Sequence, residues 1–234
     1  MTAPAAVLFD FSGTLFRLEE DDSWFTDVRV GDDEKVDGHY QAELMRRMTQ
    51  PVGSVVTLDD DGHRAWETRD LDPAMHRAAY LAVLKASGVH RVEHAESLYD
   101  NVIDPSSWTP YPDTSRVLRS LHEHGIPVGI VSNIAFDLRP AFDRLGVGDA
   151  ISFYALSFEV GAVKPDAAIF RAAADALGLP VEQYLMVGDS EEADGGARAL
   201  GMSFALVEPL PTTERPTALV DALASHGIEI DRRL

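Results

Sequence analysis

The sequence contains no cysteine in 234 residues, so it has no disulfide framework, no cysteine metal ligand and no thiol nucleophile. Basic residues are scarce: 20 Lys and Arg stand against 39 Asp and Glu, which gives a formal net charge of −19. Affinity for nucleic acids and anionic lipids depends on basic side chains that neutralise phosphate. A nucleic-acid partner is therefore not expected.

Long apolar runs are also absent. No stretch approaches the roughly 18 consecutive apolar residues that a membrane-spanning helix needs, so no membrane partner is expected. The amino-terminal residues lack the basic start and the apolar length of a signal peptide. Together with the missing cysteines, these features predict a soluble, cytoplasmic protein.

Hydrophobic residues make up 45% of the sequence and charged residues 25%, which is the composition of a folded globular chain. Residues 5–9 form a short apolar run that is typical of a buried parallel strand. Residues 15–109 combine acidic clusters with apolar residues at helical spacing, which predicts a small helical bundle. Within this segment, Asp72 followed by Pro73 predicts the start of a helix, and Gly88 predicts its end.

From residue 110 onward, short apolar runs alternate with segments of helical spacing. Strands are predicted at residues 128–131, 151–156, 185–187 and 202–207. Helices are predicted between a capping Asp113 and Gly125, and at residues 135–145, 165–177, 193–200 and 218–225. Strands that alternate with helices over short links form a parallel sheet with right-handed crossovers. The expected fold class is α/β, with a doubly wound, parallel-sheet, Rossmann-like core.

Polar residues follow the predicted strands of this core, at the sheet edge where such folds bind ligands. They are Asp10, Ser132, Asn133, Lys164, Asp189 and Asp194. Each alone has an ordinary structural explanation, as a turn former, a helix cap or a solvated lysine. Their occurrence in order after successive strands favours one functional site with a nucleophilic carboxylate, a hydroxyl, a cation and a carboxylate pair.

Four segments resemble, in order, the four motifs of the haloacid dehalogenase (HAD) superfamily. They are Asp10-Phe11-Ser12-Gly13-Thr14, Val131-Ser132-Asn133, Val163-Lys164-Pro165-Asp166, and Gly188-Asp189-Ser190 with Asp194. The resemblance spans nearly the whole chain and is closest to the phosphatase-like branch with a helical cap after the first motif. It implies a catalytic core of residues 1–14 and 110–234, with residues 15–109 as the inserted α-helical cap domain.

This resemblance implies a Mg²⁺-dependent phosphohydrolase that forms an aspartyl-phosphate on Asp10. Mg²⁺ prefers oxygen ligands, and the implied protein ligands are Asp10, the backbone carbonyl of Ser12, and Asp189. Asp194 is expected to hold a metal-bound water or to orient Lys164.

The resemblance also implies a phosphate-binding set. Lys164 and the Ser132 hydroxyl are expected to bind the phosphoryl oxygens that are not transferred, and Asn133 is expected to position the substrate. The implied partner is a small phosphorylated metabolite, and the protein is expected to act as a monomer or a homodimer.

Ser12 departs from the family pattern, because family phosphatases usually carry a second, acid/base Asp at that place. A serine hydroxyl cannot serve as a general acid or base near pH 7, and losing that function typically removes about 10²–10⁴-fold of rate. Three explanations stay open: a catalytically weak, phosphate-binding protein, a leaving group that needs no proton, or another acid/base group. For the last, the candidates are residues 19–22 and His39.

Other branches of the superfamily are alternatives. Phosphonate-cleaving relatives have a small residue in place of the acid/base Asp and use a Schiff-base lysine of the cap, for which Lys35 and Lys85 are the candidates. Dehalogenases need no metal and usually have Tyr there. Because Asp189 would repel an anionic substrate without a cation present, carbon–halogen cleavage ranks below phosphate hydrolysis.

Overall fold

The computed structural model describes residues 3–19, 21–31, 34–49 and 56–230. The chain divides into two compact units, which are residues 1–18 with 108–234, and residues 19–107. Residues 15–18 and 108–109, which the sequence pattern places in the inserted segment, belong to the first of these units. In the described part of the chain, no helix has both the length and the apolar character needed to cross a membrane.

The elements are numbered in chain order. The strands are β1 (Ala6–Phe9), β2 (Phe16–Leu18), β3 (Arg29–Val30), β4 (Glu34–Lys35), β5 (Trp108–Pro110), β6 (Val128–Ser132), β7 (Phe153–Leu156), β8 (Tyr184–Gly188) and β9 (Ser203–Leu206). The α-helices are α1 (Gly38–Thr49), α2 (Asp60–Thr68), α3 (Pro73–Ala86), α4 (Val92–Ile103), α5 (Thr114–Glu123), α6 (Arg139–Leu145), α7 (Ser157–Val160), α8 (Ala167–Leu177) and α9 (Ala218–Ser225).

A five-stranded parallel sheet in the order β7-β6-β1-β8-β9 forms the centre of the first unit. Every residue of β1, β6 and β8 is buried, as expected for strands covered on both faces. Val7 and Phe9 pack into a cluster that includes Phe142 of α6, whereas Leu8 packs on the other side with Phe170 of α8. The predicted α/β fold with a doubly wound sheet is confirmed.

Some predicted boundaries are wrong. Residues 135–138, which were predicted to be helical, lie outside α6, which begins at Arg139. Pro140 occupies the first turn of this helix, where proline is tolerated. Residues 194–200 form a 3₁₀ helix instead of an α-helix, in keeping with the poor helix propensity of Gly195 and Gly196. The strand predicted at 151–156 starts two residues later, at β7.

Asp113 occupies the predicted position before α5, but its side chain does not cap that helix. Its Oδ2 instead accepts hydrogen bonds from the backbone N–H groups of Leu219 (2.9 Å) and Val220 (3.2 Å) in the first turn of α9. Burial raises the pKa of this carboxyl above its usual value. The residue therefore ties the start of α5 to the start of α9, a long-range contact that sequence spacing does not show.

The described residues of the second unit form four α-helices, α1 to α4, and a short antiparallel pair, β3 and β4, that was not predicted. The predicted start of α3 is confirmed: Asp72 Oδ1 accepts hydrogen bonds from the N–H groups of Ala74 and Met75. Gly88 follows this helix with a φ of +92°, as predicted for a stop residue. Trp66 of α2 and Val83 of α3 belong to the unit's apolar core.

Candidate active site

Asp10 is the first residue after β1 and is only 6% exposed. Its backbone N–H donates to the carbonyl of Val187 in β8 at 3.0 Å, so the sheet ladder itself fixes its position. The next turn returns the chain to β2, with the N–H of Gly13 donating to the carbonyl of Phe16 at 2.8 Å. Ser12 lies in this turn and is exposed.

Lys164 joins two carboxylates in the buried interior of the site. Its Nζ lies 2.6 Å from Oδ1 of Asp10 and 2.6 Å from Oδ1 of Asp194, and all three side chains are at most 8% exposed. Burial alone would lower the pKa of Lys164, but the ionised partners raise it above its ordinary value. The lysine is therefore a fixed positive charge beside Asp10.

Asn133 holds the backbone of Lys164 in place. Its Oδ1 accepts from the N–H of Lys164 at 2.7 Å, and its Nδ2 donates to the carbonyl of Lys164 at 3.1 Å. The side-chain amide therefore positions the lysine, a contact that the sequence motif does not reveal. Ser132, the residue before it, is buried at the end of β6.

Asp194 is held from two sides. Its Oδ2 accepts from the N–H of Ser190 at 2.9 Å, while its Oδ1 binds Lys164. A side chain at Gly188 would overlap the Asp194 carboxylate, so only glycine fits at the end of β8. Gly196 is similarly confined, because a Cβ there would lie 2.6 Å from Cβ of Pro165.

Three carboxylates converge in this site and face one ammonium group. Oxygen atoms of Asp10, Asp189 and Asp194 all lie within 4.8 Å of one another. Burial, opposed by Lys164 but reinforced by the two neighbouring carboxylates, raises the pKa of Asp10 to about 7. Burial, followed by the charge of Asp194, also raises the pKa of Asp189. Such a cluster of hard oxygen donors with excess negative charge fits a Mg²⁺ ion.

Gly13 gives the loop after Asp10 its close approach to this cluster. Its φ is +76°, and a Cβ at this position would lie 2.5 Å from Oδ2 of Asp189. Sequence reasoning quoted Gly13 and Gly188 as motif members but missed their steric role. The available signal was a glycine three residues after Asp10 in the first motif and one directly before Asp189 in the fourth.

Residues 19–22 and His39, the candidates for the missing acid/base group, belong to the second unit. Asp21 accepts from the N–H of Ser23 at 2.8 Å, and Asp22 accepts from Nε2 of Gln41 at 2.8 Å. His39 is exposed. In the acidic clusters of this unit, residues 20, 32 and 33 lie outside the described residues. Two lysines considered for Schiff-base chemistry are exposed, namely Lys35 and Lys85.

Comparison with known proteins agrees with this site. A family model described as haloacid dehalogenase-like hydrolase matches residues 4–201. The chain is 31% identical to a ribulose-1,5-bisphosphate 5-phosphatase of Halopiger xanaduensis over 124 residues, which are 50% of this chain and 52% of the relative. It is 33% identical to a phosphoserine phosphatase of Thermus thermophilus over 113 residues, which are 47% of this chain and 45% of the relative.

The chain thus spans about half the length of these curated relatives. Among solved structures, L-2-haloacid dehalogenase from Xanthobacter autotrophicus matches with a TM-score of 0.61 and 21% identity, over 93% of this chain and 83% of that chain. At that identity the match shows a shared fold. Because the family model covers most of the chain and includes Asp10, Lys164 and Asp194, the chain belongs to the haloacid dehalogenase-like hydrolase family.

Proposed function

We propose that the protein is a Mg²⁺-dependent phosphohydrolase that acts on a small phosphorylated metabolite through an aspartyl-phosphate on Asp10. The observation that carries this proposal is the buried cluster in which Lys164 lies 2.6 Å from both Asp10 and Asp194, with Asp189 beside them. A carboxylate approaches a phosphate dianion only where cations offset their repulsion. The names of the matched relatives, which include several phosphatases, support the same reaction class.

The proposed metal ligands are Asp10, Asp189, Asp194 and the backbone carbonyl of Ser12. When bound, Mg²⁺ supplies positive charge that polarises the phosphoryl group and offsets the negative charge of the cluster. The loop at Gly13 supports this assignment, because its close packing on Asp189 brings the chain around Ser12 toward the carboxylates.

Asp10 is the proposed nucleophile. Lys164 holds its Oδ1, and Oδ2 is the oxygen that we propose for the attack. A bond forms from this oxygen to phosphorus while the bond to the leaving oxygen breaks, and the leaving oxygen keeps the electron pair. Water then attacks the same phosphorus, the Asp10 oxygen leaves as a carboxylate, and the water proton passes to solvent. The ammonium group of Lys164 and the Ser132 hydroxyl are proposed to bind the non-bridging oxygens of the phosphoryl group.

Ser12 narrows the class of substrates. Its hydroxyl cannot protonate a leaving alkoxide near neutral pH, because a serine side chain does not ionise in that range. Substrates whose leaving group is stable as an anion, such as acyl and aryl phosphates, need no such proton. We propose that these are hydrolysed faster than alkyl phosphates, and that residues 19–107 are the cap domain.

A second candidate function is phosphate binding with little turnover. Ser12 favours it, because its hydroxyl cannot serve as the acid/base group. Dehalogenation is less well supported: the match to a dehalogenase structure concerns the fold, and three clustered carboxylates would repel a halogenated acid. Phosphonate cleavage needs a Schiff-base lysine, and the two candidates, Lys35 and Lys85, are both exposed.

The test is hydrolysis of acetyl phosphate and an aryl phosphate, in Mg²⁺ and in excess chelator. We expect the native protein and the control Asp175→Asn, a change at an exposed position of α8, to turn over only with Mg²⁺. We expect Asp10→Asn to be inactive. Activity that survives in Asp10→Asn or in chelator would contradict the proposal, and an inert native protein that binds phosphate would favour the second candidate.

A further inference from the structure

Arg215 lies between β9 and α9, far in sequence from every motif, and is only 3% exposed. Its guanidinium carbon lies over the ring of Tyr111, 3.2 Å from the ring centroid, which is a cation–π contact. Among the described residues, no carboxylate lies within ion-pair distance of it. A buried guanidinium without a carboxylate partner is costly and needs hydrogen bonds to compensate.

The hydrogen bonds of Arg215 all go to backbone carbonyl groups. Nη1 donates to the carbonyl of Gly13 at 2.7 Å, Nη2 donates to the carbonyl of Thr14, and Nη1 also lies 3.3 Å from the carbonyl of Glu208. The planar fork therefore binds two consecutive residues of the loop that follows Asp10. A lysine cannot reproduce this geometry, because its N–H donors all lie on one nitrogen and do not form a planar fork.

The chain around Arg215 packs on the same loop. Tyr111 donates its hydroxyl to the carbonyl of Leu210 at 2.9 Å, and Nη1 of Arg17 donates to the carbonyl of Pro209. Pro209 also borders Gly13, where a Cβ would lie 3.2 Å from the proline Cβ. The segment after β9 thus contacts the loop through Pro209 and Arg215. Asp189 lies against the same loop at Gly13.

We infer that Arg215 is a positioning residue for the metal site. Because Arg215 fixes the carbonyl groups of Gly13 and Thr14, it also sets the orientation of the preceding peptide, which carries the carbonyl of Ser12. The proposed Mg²⁺ site requires this carbonyl to be directed toward Asp10 and Asp189. This inference rests on the proposed function, since it assigns Arg215 a role in forming that function's Mg²⁺ site.

The experiment is calorimetric titration of Mg²⁺ into metal-free protein, at a temperature where circular dichroism shows every variant to be folded. Removing a group that orients metal ligands typically costs about 10–100-fold in metal affinity. We expect at least about a tenfold weaker affinity in Arg215→Met. We expect a smaller loss in Arg215→Lys, which keeps the charge without the fork. If Arg215→Met does not fold, Arg215→Lys carries the comparison.

The control is Phe170→Leu, which destabilises the opposite side of the sheet without touching the loop. It should bind Mg²⁺ like the native protein, so that reduced stability alone is separated from loss of positioning. Native affinity in folded Arg215 variants would overturn this inference and leave the proposed function standing. A native protein that binds no Mg²⁺ would overturn the proposed function, and this inference with it.

Discussion

At the scale of single residues, the site depends on an imbalance of charge. Lys164 is the one ammonium group that the described contacts place among Asp10, Asp189 and Asp194. Its position is fixed by Asn133, which binds both its N–H and its carbonyl. The lysine therefore contributes to the stability of the fold as well as to the proposed reaction. Its contribution to stability can be measured in metal-free protein, where the proposed reaction does not run.

Lys164→Met should destabilise the metal-free protein by about 3–5 kcal/mol, because it leaves buried carboxylates without their cation. The measurement is urea unfolding in chelator at pH 8. Lys85→Met, at an exposed position of α3, is the control and should unfold like the native protein. If both variants unfold at the same urea concentration, the buried ion pairs of Lys164 do not stabilise the fold.

Ser12→Asp should raise turnover of an alkyl phosphate by about 10²–10⁴-fold, because the new carboxyl group can exchange a proton with the leaving oxygen. The gain with acetyl phosphate should be smaller, since its leaving group needs no proton. Ser12→Asn has a similar shape but cannot donate as an acid, and it serves as the control. Equal rates for the Asp and Asn variants would show that an acid/base group at this position does not limit the reaction.

At the scale of elements, the loop between β1 and β2 determines whether the carboxylates can meet. Gly13 has a φ of +76° and leaves no room for a side chain beside Asp189. Gly161, after α7, has the same φ of +76°, but a Cβ there would have no other atom within 4 Å. The comparison of these two glycines therefore separates the effect of backbone strain from that of crowding against a carboxylate.

Gly13→Ala and Gly161→Ala should both lose stability from backbone strain, by about 1 kcal/mol in the second case. Gly13→Ala should lose more, because its methyl group must displace the loop or Asp189. Mg²⁺ affinity should fall in Gly13→Ala and stay unchanged in Gly161→Ala. Thermal unfolding and calorimetry measure the two effects, and equal behaviour of the variants would refute the close packing at Gly13.

The elements that sequence predicts well are those with a local signal. The apolar run at 5–9 predicts β1, and the cap at Asp72 predicts the start of α3. Contacts between distant residues are not predictable in this way. Asp113 caps α9 instead of its own helix, and Arg215 binds Gly13 across 202 positions of sequence. Neither contact has a periodicity or a motif that would reveal it.

At the scale of the whole molecule, two units with separate cores make up one chain. The alternation of strands and helices predicts the sheet of the first unit, because right-handed crossovers leave few topologies open. The pair β3 and β4 in the second unit was missed, since each strand is only two residues long and carries no apolar alternation. Sequence also predicts which residues gather at the sheet edge, but not that Asn133 binds Lys164.

The second unit should lose stability in acid. His76 of α3 is buried, and its Nδ1 lies 3.0 Å from the Tyr99 hydroxyl. Burial, aided by the charge of Arg69, lowers the pKa of His76 to about 4. In the unfolded chain the pKa of a histidine is about 6.5, so a histidine whose pKa is lowered by folding stabilises the folded state at pH values above about 6.5. This stabilisation is lost as the pH falls toward 4.

The expected loss is about 3 kcal/mol between pH 7 and pH 4, measured as the difference in unfolding free energy between native protein and His76→Phe. The phenylalanine keeps the apolar contacts but does not titrate, so that the acid titration of other groups cancels in the difference. Parallel pH profiles for the two proteins would show that His76 does not carry the effect.

The proposed reaction requires Asp10 to form a covalent bond to phosphorus. The most direct measurement is mass spectrometry of the peptide that contains Asp10, after acid quench of the protein reacting with acetyl phosphate and Mg²⁺. We predict the added mass of one phosphoryl group on Asp10, retained in acid and lost after treatment with hydroxylamine. Hydrolysis that proceeds with no phosphoryl group on this peptide, or with one on another residue, would rule out covalent catalysis by Asp10.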